Sequence, residues 1–110
     1  MSLDIRFEER SPALCPHCNK IVGYDTIDSK SSGGRDWYDI LESIGYYVPF
    51  DERTEENDWY GEDMELTREQ AEEVYQYIKK HPNIYYGYEV AGLIARALLD
   101  GNTVVVNADW

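Results

Sequence analysis

The sequence has no long apolar run and few positively charged residues. No stretch approaches the roughly 18 consecutive apolar residues of a membrane-spanning helix, and residues 1–4 lack the basic and apolar regions of a secretory signal. We therefore expect a cytoplasmic protein with no membrane partner. Ten Lys and Arg residues stand against 22 Asp and Glu residues, so that the formal net charge is −12. This charge opposes binding to phosphate backbones, and nucleic acid is not expected as a direct ligand.

Residues that commonly catalyse reactions are also scarce. The chain has two histidines, no glycine-rich phosphate loop and no Ser-His-Asp arrangement with local support. Among 22 acidic residues, close carboxylate pairs are inevitable, so no general acid and base stand out. The sequence therefore predicts a protein that is not an enzyme.

Cysteine is rare as well, and the two cysteines lie together. Cys15 and Cys18 have the two-residue spacing of half a zinc knuckle, and Asn19 can adopt the positive φ that often follows such a pair. Structural zinc requires four ligands, and His81 at the end of a predicted helix is the expected third ligand. We therefore predict one zinc ion held by Cys15, Cys18 and His81. The alternatives are that the two cysteines are free thiols or that they form a redox-active pair. A redox-active pair requires a helix directly after the first cysteine, and the β-prone residues found there disfavour it.

Most of the negative charge lies in one segment, residues 51–73. This acid-rich segment contains eleven acidic residues against Arg53 and Arg68, and so accounts for nine of the twelve net negative charges. An acidic run is often only a solvated surface, but two aromatic residues lie within this one, and such residues anchor interfaces. The predicted partner-binding residues are Asp51, Glu52, Glu55, Glu56, Asp58, Trp59, Tyr60, Glu62 and Asp63.

Apolar periodicity predicts three helices. The longest has apolar residues at i, i+3, i+4, i+7 and i+8, and Gly101 ends it; these residues are Val90, Leu93, Ile94, Ala97 and Leu98. A second helix begins at a capping box of Thr67 and Gln70, and its apolar residues are Ala71, Val74, Tyr75 and Ile78. A first, short helix is capped by Asp36 and ends at Gly45, and its apolar residues are Trp37, Ile40, Leu41 and Ile44.

Two alternating or β-branched segments predict a sheet. Leu3, Ile5 and Phe7 alternate with charged residues, and this strand is expected to pair with residues 103–106. Residues 21–24 are the candidate for a further short strand, whereas residues 11–20 are expected as a loop and residues 25–34 as a flexible connection. The chain is thus predicted to form one α+β domain over residues 1–110, with a two- to three-stranded sheet and three helices on one face.

The beginning of the chain resembles a known group of proteins. Its opening Met-Ser-Leu-Asp-Ile, followed within twenty residues by Cys-Pro-His-Cys, is similar to small uncharacterised proteins encoded by bacteriophages and prophages. The helix that ends at Ile44-Gly45-Tyr46 is also reminiscent of that group. The resemblance implies a setting in the cytoplasm of a bacterial host and no particular activity.

Two functions are consistent with these features. The first is a non-catalytic inhibitor of phage type, which binds a basic site on a host protein, such as a nucleic-acid-binding defence protein, through its acidic and aromatic surface. Clustered carboxylates imitate a row of phosphates and attract basic grooves. The alternative is a small zinc-stabilised accessory or assembly module, in which the acid-rich segment only provides solubility.

Overall fold

The computed structural model describes residues 3–110, and this part of the chain contains four β-strands and three α-helices. In chain order they are β1 (Asp4–Leu14), β2 (Ile21–Gly33), α1 (Tyr38–Ser43), β3 (Met64–Leu66), α2 (Arg68–Lys80), α3 (Gly87–Asp100) and β4 (Thr103–Asp109), with 3₁₀ turns at Arg35–Trp37 and Phe50–Glu52. The strands form one antiparallel sheet in the order β2-β1-β4-β3. The predicted α+β class is confirmed, but the predicted two- to three-stranded sheet lacked one strand, β3.

The pairing of the first and last strands is as expected. Phe7 lies opposite Val106, and Glu9 lies opposite Val104. Because side chains alternate along a strand, Leu3, Ile5 and Phe7 share the face that the helices cover, and all three are buried. The alternating apolar pattern therefore identified both the strand and its buried face.

Strand β2 is much longer than the predicted four residues. Residues 25–33, expected to be part of a flexible connection, pair with β1, with Asp25 opposite Ser11 and Gly33 opposite Asp4. The expected loop at residues 11–20 is also shorter, because β1 continues to Leu14. Serine, glycine and aspartate have weak β-propensity, but ladder pairing with a neighbouring strand overrides that preference.

Beyond the body of the sheet, β1 and β2 continue as a two-stranded ribbon. β4 accompanies β1 only as far as Arg10, which lies opposite Thr103. Residues 11–14 of β1 pair with β2 alone, and a turn at residues 15–20 joins the two strands. This ribbon projects from the domain, whose longest dimension is 48 Å against 33 and 22 Å for the others.

The long helix α3 has the predicted buried residues. Val90, Leu93, Ile94 and Ala97 are all buried, whereas Leu98, the fifth residue of the predicted stripe, is half-buried against the core. Gly101 ends the helix with a φ of 71°, the left-handed conformation that glycine adopts without steric cost. The predictions for this helix and its final glycine are confirmed.

Helix α2 begins at the predicted capping box. Thr67 Oγ1 accepts a hydrogen bond from Gln70 N at 3.1 Å, and Gln70 Oε1 accepts one from Thr67 N at 2.9 Å. These two bonds satisfy backbone donors that have no partner within the helix. Ala71, Val74 and Ile78 face the core and are buried, whereas Tyr75, the fourth predicted apolar residue, is half-buried.

The short helix α1 has the expected buried residues but not the expected start. Trp37, Ile40, Leu41 and Ile44 are buried, and Gly45 follows with a φ of 83°. Asp36 was predicted to cap the helix, but it lies inside a 3₁₀ turn that precedes α1, and neither segment has a side-chain cap. Here a 3₁₀ turn, with its tighter hydrogen bonds, replaces the side-chain cap.

The helices and the sheet enclose one hydrophobic cluster. At its centre, Trp37 packs on Phe7 with 5.3 Å between ring centroids, and its indole Nε1 donates to Ser32 Oγ at 2.9 Å. Within residues 3–110, no helix combines the length and apolar character needed to cross a bilayer.

Candidate functional site

The acid-rich segment is ordered and presents its charge outward. All eleven of its acidic residues are exposed. Within residues 3–110, only two of them form salt bridges, Asp63 with Arg10 and Arg6 and Glu72 with Arg68. The other nine have no cationic partner there; they are Asp51, Glu52, Glu55, Glu56, Asp58, Glu62, Glu65, Glu69 and Glu73.

Two side chains fix the backbone of the loop that carries the first five of these acids. Asn57 accepts from Thr54 N at 2.7 Å through Oδ1 and donates to the carbonyl oxygen of Glu52 at 3.2 Å through Nδ2. Asp58 Oδ1 accepts from Tyr60 N at 3.1 Å. These side-chain bonds replace the ladder or helix that the loop lacks. The carboxylates of this loop are therefore presented on a defined backbone.

The end of the loop is attached to β4 through Tyr46. The buried Tyr46 hydroxyl lies 2.8 Å from the Glu62 carbonyl oxygen and accepts from Ala108 N at 2.7 Å. Gly61 N donates to the Ala108 carbonyl oxygen at 2.8 Å. Burial raises the pKa of Tyr46 above its ordinary value, so the hydroxyl keeps the proton that it donates.

An aromatic cluster lies under the same loop. Tyr46 is 6.4 Å from Trp59 and 6.1 Å from Trp110, and Trp110 meets Tyr60 edge-on at 4.9 Å, all between ring centroids. The Arg53 guanidinium lies 5.5 Å from the centre of the Trp110 ring and donates to the Val48 carbonyl oxygen at 2.9 Å. Arg53 is thus engaged with the cluster and the backbone beneath the loop.

The structure gives the two predicted aromatic anchors different positions. Trp59 is half-buried and packs against the core, whereas Tyr60 keeps 49% of its surface exposed. Trp110, half-buried, joins them, although it is not among the predicted partner-binding residues. Its contact with Tyr60 depends on β4 running beside the acid-rich segment, and no local pattern predicts that.

Asp63 differs from the other predicted carboxylates. Its oxygens lie 2.8 Å from Asn107 Nδ2 and 3.0 Å from Arg10 Nη2, and Arg10 also contacts Glu8 at 2.6 Å. Hydrogen bonds from the Asn107 amide and then from the Arg10 guanidinium lower the pKa of Asp63. This carboxylate belongs to a polar network on the open face of the sheet, and its charge is already compensated there.

Helix α2 continues the acidic surface. Glu69, Glu72 and Glu73 are exposed on the side opposite the buried apolar residues. Glu73 also lines a groove with Asp39 of α1. The exposed acids of the segment thus continue from the loop into the first two turns of α2.

The two cysteines occupy the turn at the tip of the ribbon. Cys15 N donates to the Lys20 carbonyl oxygen at 2.8 Å, and Asn19 N donates to the Cys15 carbonyl oxygen at 2.9 Å. Asn19 has a φ of 57°, which confirms the positive φ expected after the cysteine pair. Cys18 is exposed and Cys15 is half-buried, and both are free thiols. We call residues 15–20 the cysteine turn.

Hydrogen bonds in the cysteine turn favour the thiolate of Cys15. The backbone N–H of His17 and then the Cys18 thiol lower the pKa of Cys15 below its usual value, with a further contribution from the backbone N–H of Cys18. A thiolate is the form that binds metals and attacks electrophiles. The Cys15 side chain thus lies within hydrogen-bond reach of the Cys18 thiol.

His81 lies away from this turn. Its ring stacks on Tyr77 at 4.1 Å between centroids, with Nδ1 2.8 Å from the Tyr77 carbonyl oxygen. Tyr77 in turn donates to the Asp36 carbonyl oxygen at 2.5 Å, just past the end of β2 opposite the cysteine turn. The structure thus brings Cys15 and Cys18 together and leaves His81 elsewhere. No three His, Cys, Asp or Glu side chains between residues 3 and 110 are grouped to hold one metal ion.

No protein-family model matches this chain, and no curated protein and no solved structure is significantly similar to it.

Proposed function

We propose that this protein is a non-catalytic binding protein whose acid-rich segment occupies a positively charged site on another protein. The observation that supports this proposal is the set of nine exposed carboxylates without cationic partners on an ordered backbone. A solubilising tail requires no such order. An ordered surface loses less conformational entropy when it binds, so more of the attraction appears as affinity.

The class of partner follows from the charge. A surface with many carboxylates attracts a groove rich in Lys and Arg, and such grooves are typical of proteins that bind nucleic acid. Occupation of the groove would exclude its own ligand, which makes the protein an inhibitor. A phage or prophage product acting on a protein of its bacterial host is the setting that we propose.

The aromatic residues beside the loop would supply affinity that salt does not screen. Tyr60 and Trp110 are partly exposed and touch each other, next to the carboxylates of the loop. Aromatic side chains that become buried at an interface contribute disproportionately to its stability. The proposed surface thus combines charge for attraction with aromatic area for retention.

Capture of partners from bacterial lysate with matched baits tests this proposal. One bait is the wild-type protein, the second carries Glu55→Lys and Glu56→Lys, and the third carries Glu89→Lys and Asp100→Lys. Asp58 is left unchanged because its carboxylate accepts a hydrogen bond from Tyr60 N and so helps to fix the backbone of the loop. We expect the wild type and the third bait to retain a basic protein that the second bait loses.

The third bait is the control for net charge. It changes the charge of the protein by the same amount as the second bait, at two exposed acids of α3 outside the acid-rich segment. A lysine near the start of a helix is unfavourable and one near its end is favourable, so the two changes offset each other in stability. Equal retention by all three baits, or equal loss from both variants, would argue against a specific acidic binding surface.

A further inference from the structure

The cysteine turn is half of a metal site presented at the tip of the projecting ribbon. Zinc in structural sites is bound by four ligands in tetrahedral geometry, and thiolates are among its preferred ligands. The turn supplies two sulfur atoms, and within residues 3–110 no third His, Cys, Asp or Glu side chain is grouped with them. A complete site therefore needs two ligands from outside the molecule.

We propose that two copies of this protein share one zinc ion, held by Cys15 and Cys18 of each copy. Four thiols lose their protons to solvent as Zn²⁺ binds, and the resulting tetrathiolate site carries a charge of −2. Lys20 of each copy lies in the same turn and offsets that charge. The exposed position of the turn allows the tips to meet while both domains stay apart.

The charge of the ribbon favours a second copy at this position. Residues 10–27 contain Arg10 and Lys20 against Asp25 alone, whereas the whole chain has a net charge of −12. Two copies would repel each other across most of their surfaces, and the ribbon is where that repulsion is weakest. The acid-rich segment remains free in such a dimer, so the inference is independent of the proposed function.

Apolar side chains flank the turn and would be buried by the second copy. Leu14 and Ile21 lie opposite each other at the base of the turn and are 54% and 56% exposed, and Val22 is 68% exposed. Exposed apolar residues that are grouped at one place indicate a contact surface. Within residues 3–110, β2 is also an edge strand, so its outer backbone groups have no neighbouring strand in the sheet. The tip thus has both the ligands and the apolar surface for a symmetric contact.

Titration of the reduced, metal-free protein with Zn²⁺ and Co²⁺ tests the proposal. We expect saturation at half a metal ion per chain, together with a doubling of molecular mass in light scattering. Cobalt reports its ligands through its absorption spectrum, and the spectrum should be that of a tetrathiolate site. A chelator should return the protein to monomers.

Single substitutions identify the ligands. Cys15→Ser and Cys18→Ser should each abolish dimerisation by metal, and circular dichroism should show unchanged folding because both side chains lie in the projecting turn. His17→Asn and His81→Asn are the controls, and both should keep half-equivalent binding.

Three results would overturn the proposal. One metal per chain in a monomer would place the missing ligands within the same molecule. An absence of binding by wild-type protein would show that the turn is not a metal site. A dimer that forms without metal in the presence of reductant would show that the apolar contacts, and not the thiolates, join the copies.

Discussion

At the scale of single residues, Glu9 is held by partners from distant parts of the chain. Its side chain is fully buried, and its oxygens lie 3.1 Å from Arg96 Nε and 2.8 Å from Asn102 Nδ2. Arg96 also reaches Asp28 on β2 at 2.5 Å. A buried carboxylate is tolerated only where such partners replace its water. Glu9 therefore links β1, β2 and the end of α3.

Removal of Arg96 should destabilise the fold more than removal of a similar surface arginine. In Arg96→Ala, the buried Glu9 loses its guanidinium partner, which costs about 1 to 3 kcal/mol for a buried polar group of this kind. Arg68→Ala is the control, since Arg68 pairs at the surface with Glu72 at 3.6 Å. Urea denaturation of both variants measures the difference. Equal losses would mean that Glu9 does not depend on Arg96.

The Tyr46 hydroxyl should stabilise the fold at neutral pH and lose this effect at alkaline pH. Tyr46→Phe leaves the buried Ala108 N–H without its acceptor, at a cost of about 1 to 3 kcal/mol at neutral pH. Because burial raises the pKa of Tyr46, its contribution is complete below the unfolded pKa of about 10 and is lost as the pH rises through the folded pKa.

The free energies of unfolding of wild type and Tyr46→Phe should therefore converge as the pH rises above about 10. Denaturation curves at a series of pH values up to that range measure the convergence. A difference that stays constant or grows with pH would contradict the assigned role of the hydroxyl.

At the scale of elements, the strongly periodic segments could be predicted from the sequence. The apolar residues of α3 and the capping box of α2 lie where their spacing indicates, because both depend on neighbours within a few residues. β3 was missed because it consists of three residues inside an acidic run, with only Met64 and Leu66 to show its alternation. Its formation depends on pairing with β4, which lies about forty residues later in the chain.

The candidate site could be predicted only in part. Local composition located the acidic residues and the cysteine pair. The order of the acid-rich loop depends on Tyr46 and on β4, and the position of His81 depends on how α2 packs against the rest of the chain. These tertiary contacts join residues that are far apart in sequence, and the spacing of residues along the chain does not predict them.

Helix α3 contains one buried and one exposed leucine, and a comparison of the two tests how the helix is buried. Leu93 is 1% exposed. Leu93→Ala should lower the free energy of unfolding by about 2 to 5 kcal/mol, because the truncation leaves a cavity. Leu99, on the same helix, is 87% exposed, and Leu99→Ala should change stability by less than about 0.5 kcal/mol. Chemical denaturation compares the two. A loss below about 1 kcal/mol for Leu93→Ala would show that this residue is not central to the core.

At the scale of the whole molecule, charge and apolar surface are separated. The acid-rich segment continues through β3, at one edge of the sheet, into α2, whereas β2 at the other edge carries the near-neutral ribbon with its exposed apolar residues. A molecule with this distribution can contact two different partners at once. The proposed basic partner and the proposed second copy would therefore not compete for the same surface.

The association rate with the captured basic partner, measured over a range of salt concentrations, tests the central claim most directly. Electrostatic attraction raises association rates at low salt and is screened as the ionic strength increases. We predict a steep fall in rate with salt for the wild type and for Glu89→Lys/Asp100→Lys. For Glu55→Lys/Glu56→Lys, association at low salt should be slower and the fall distinctly shallower. The same salt dependence in all three proteins would contradict the claim that the acid-rich segment is the binding surface.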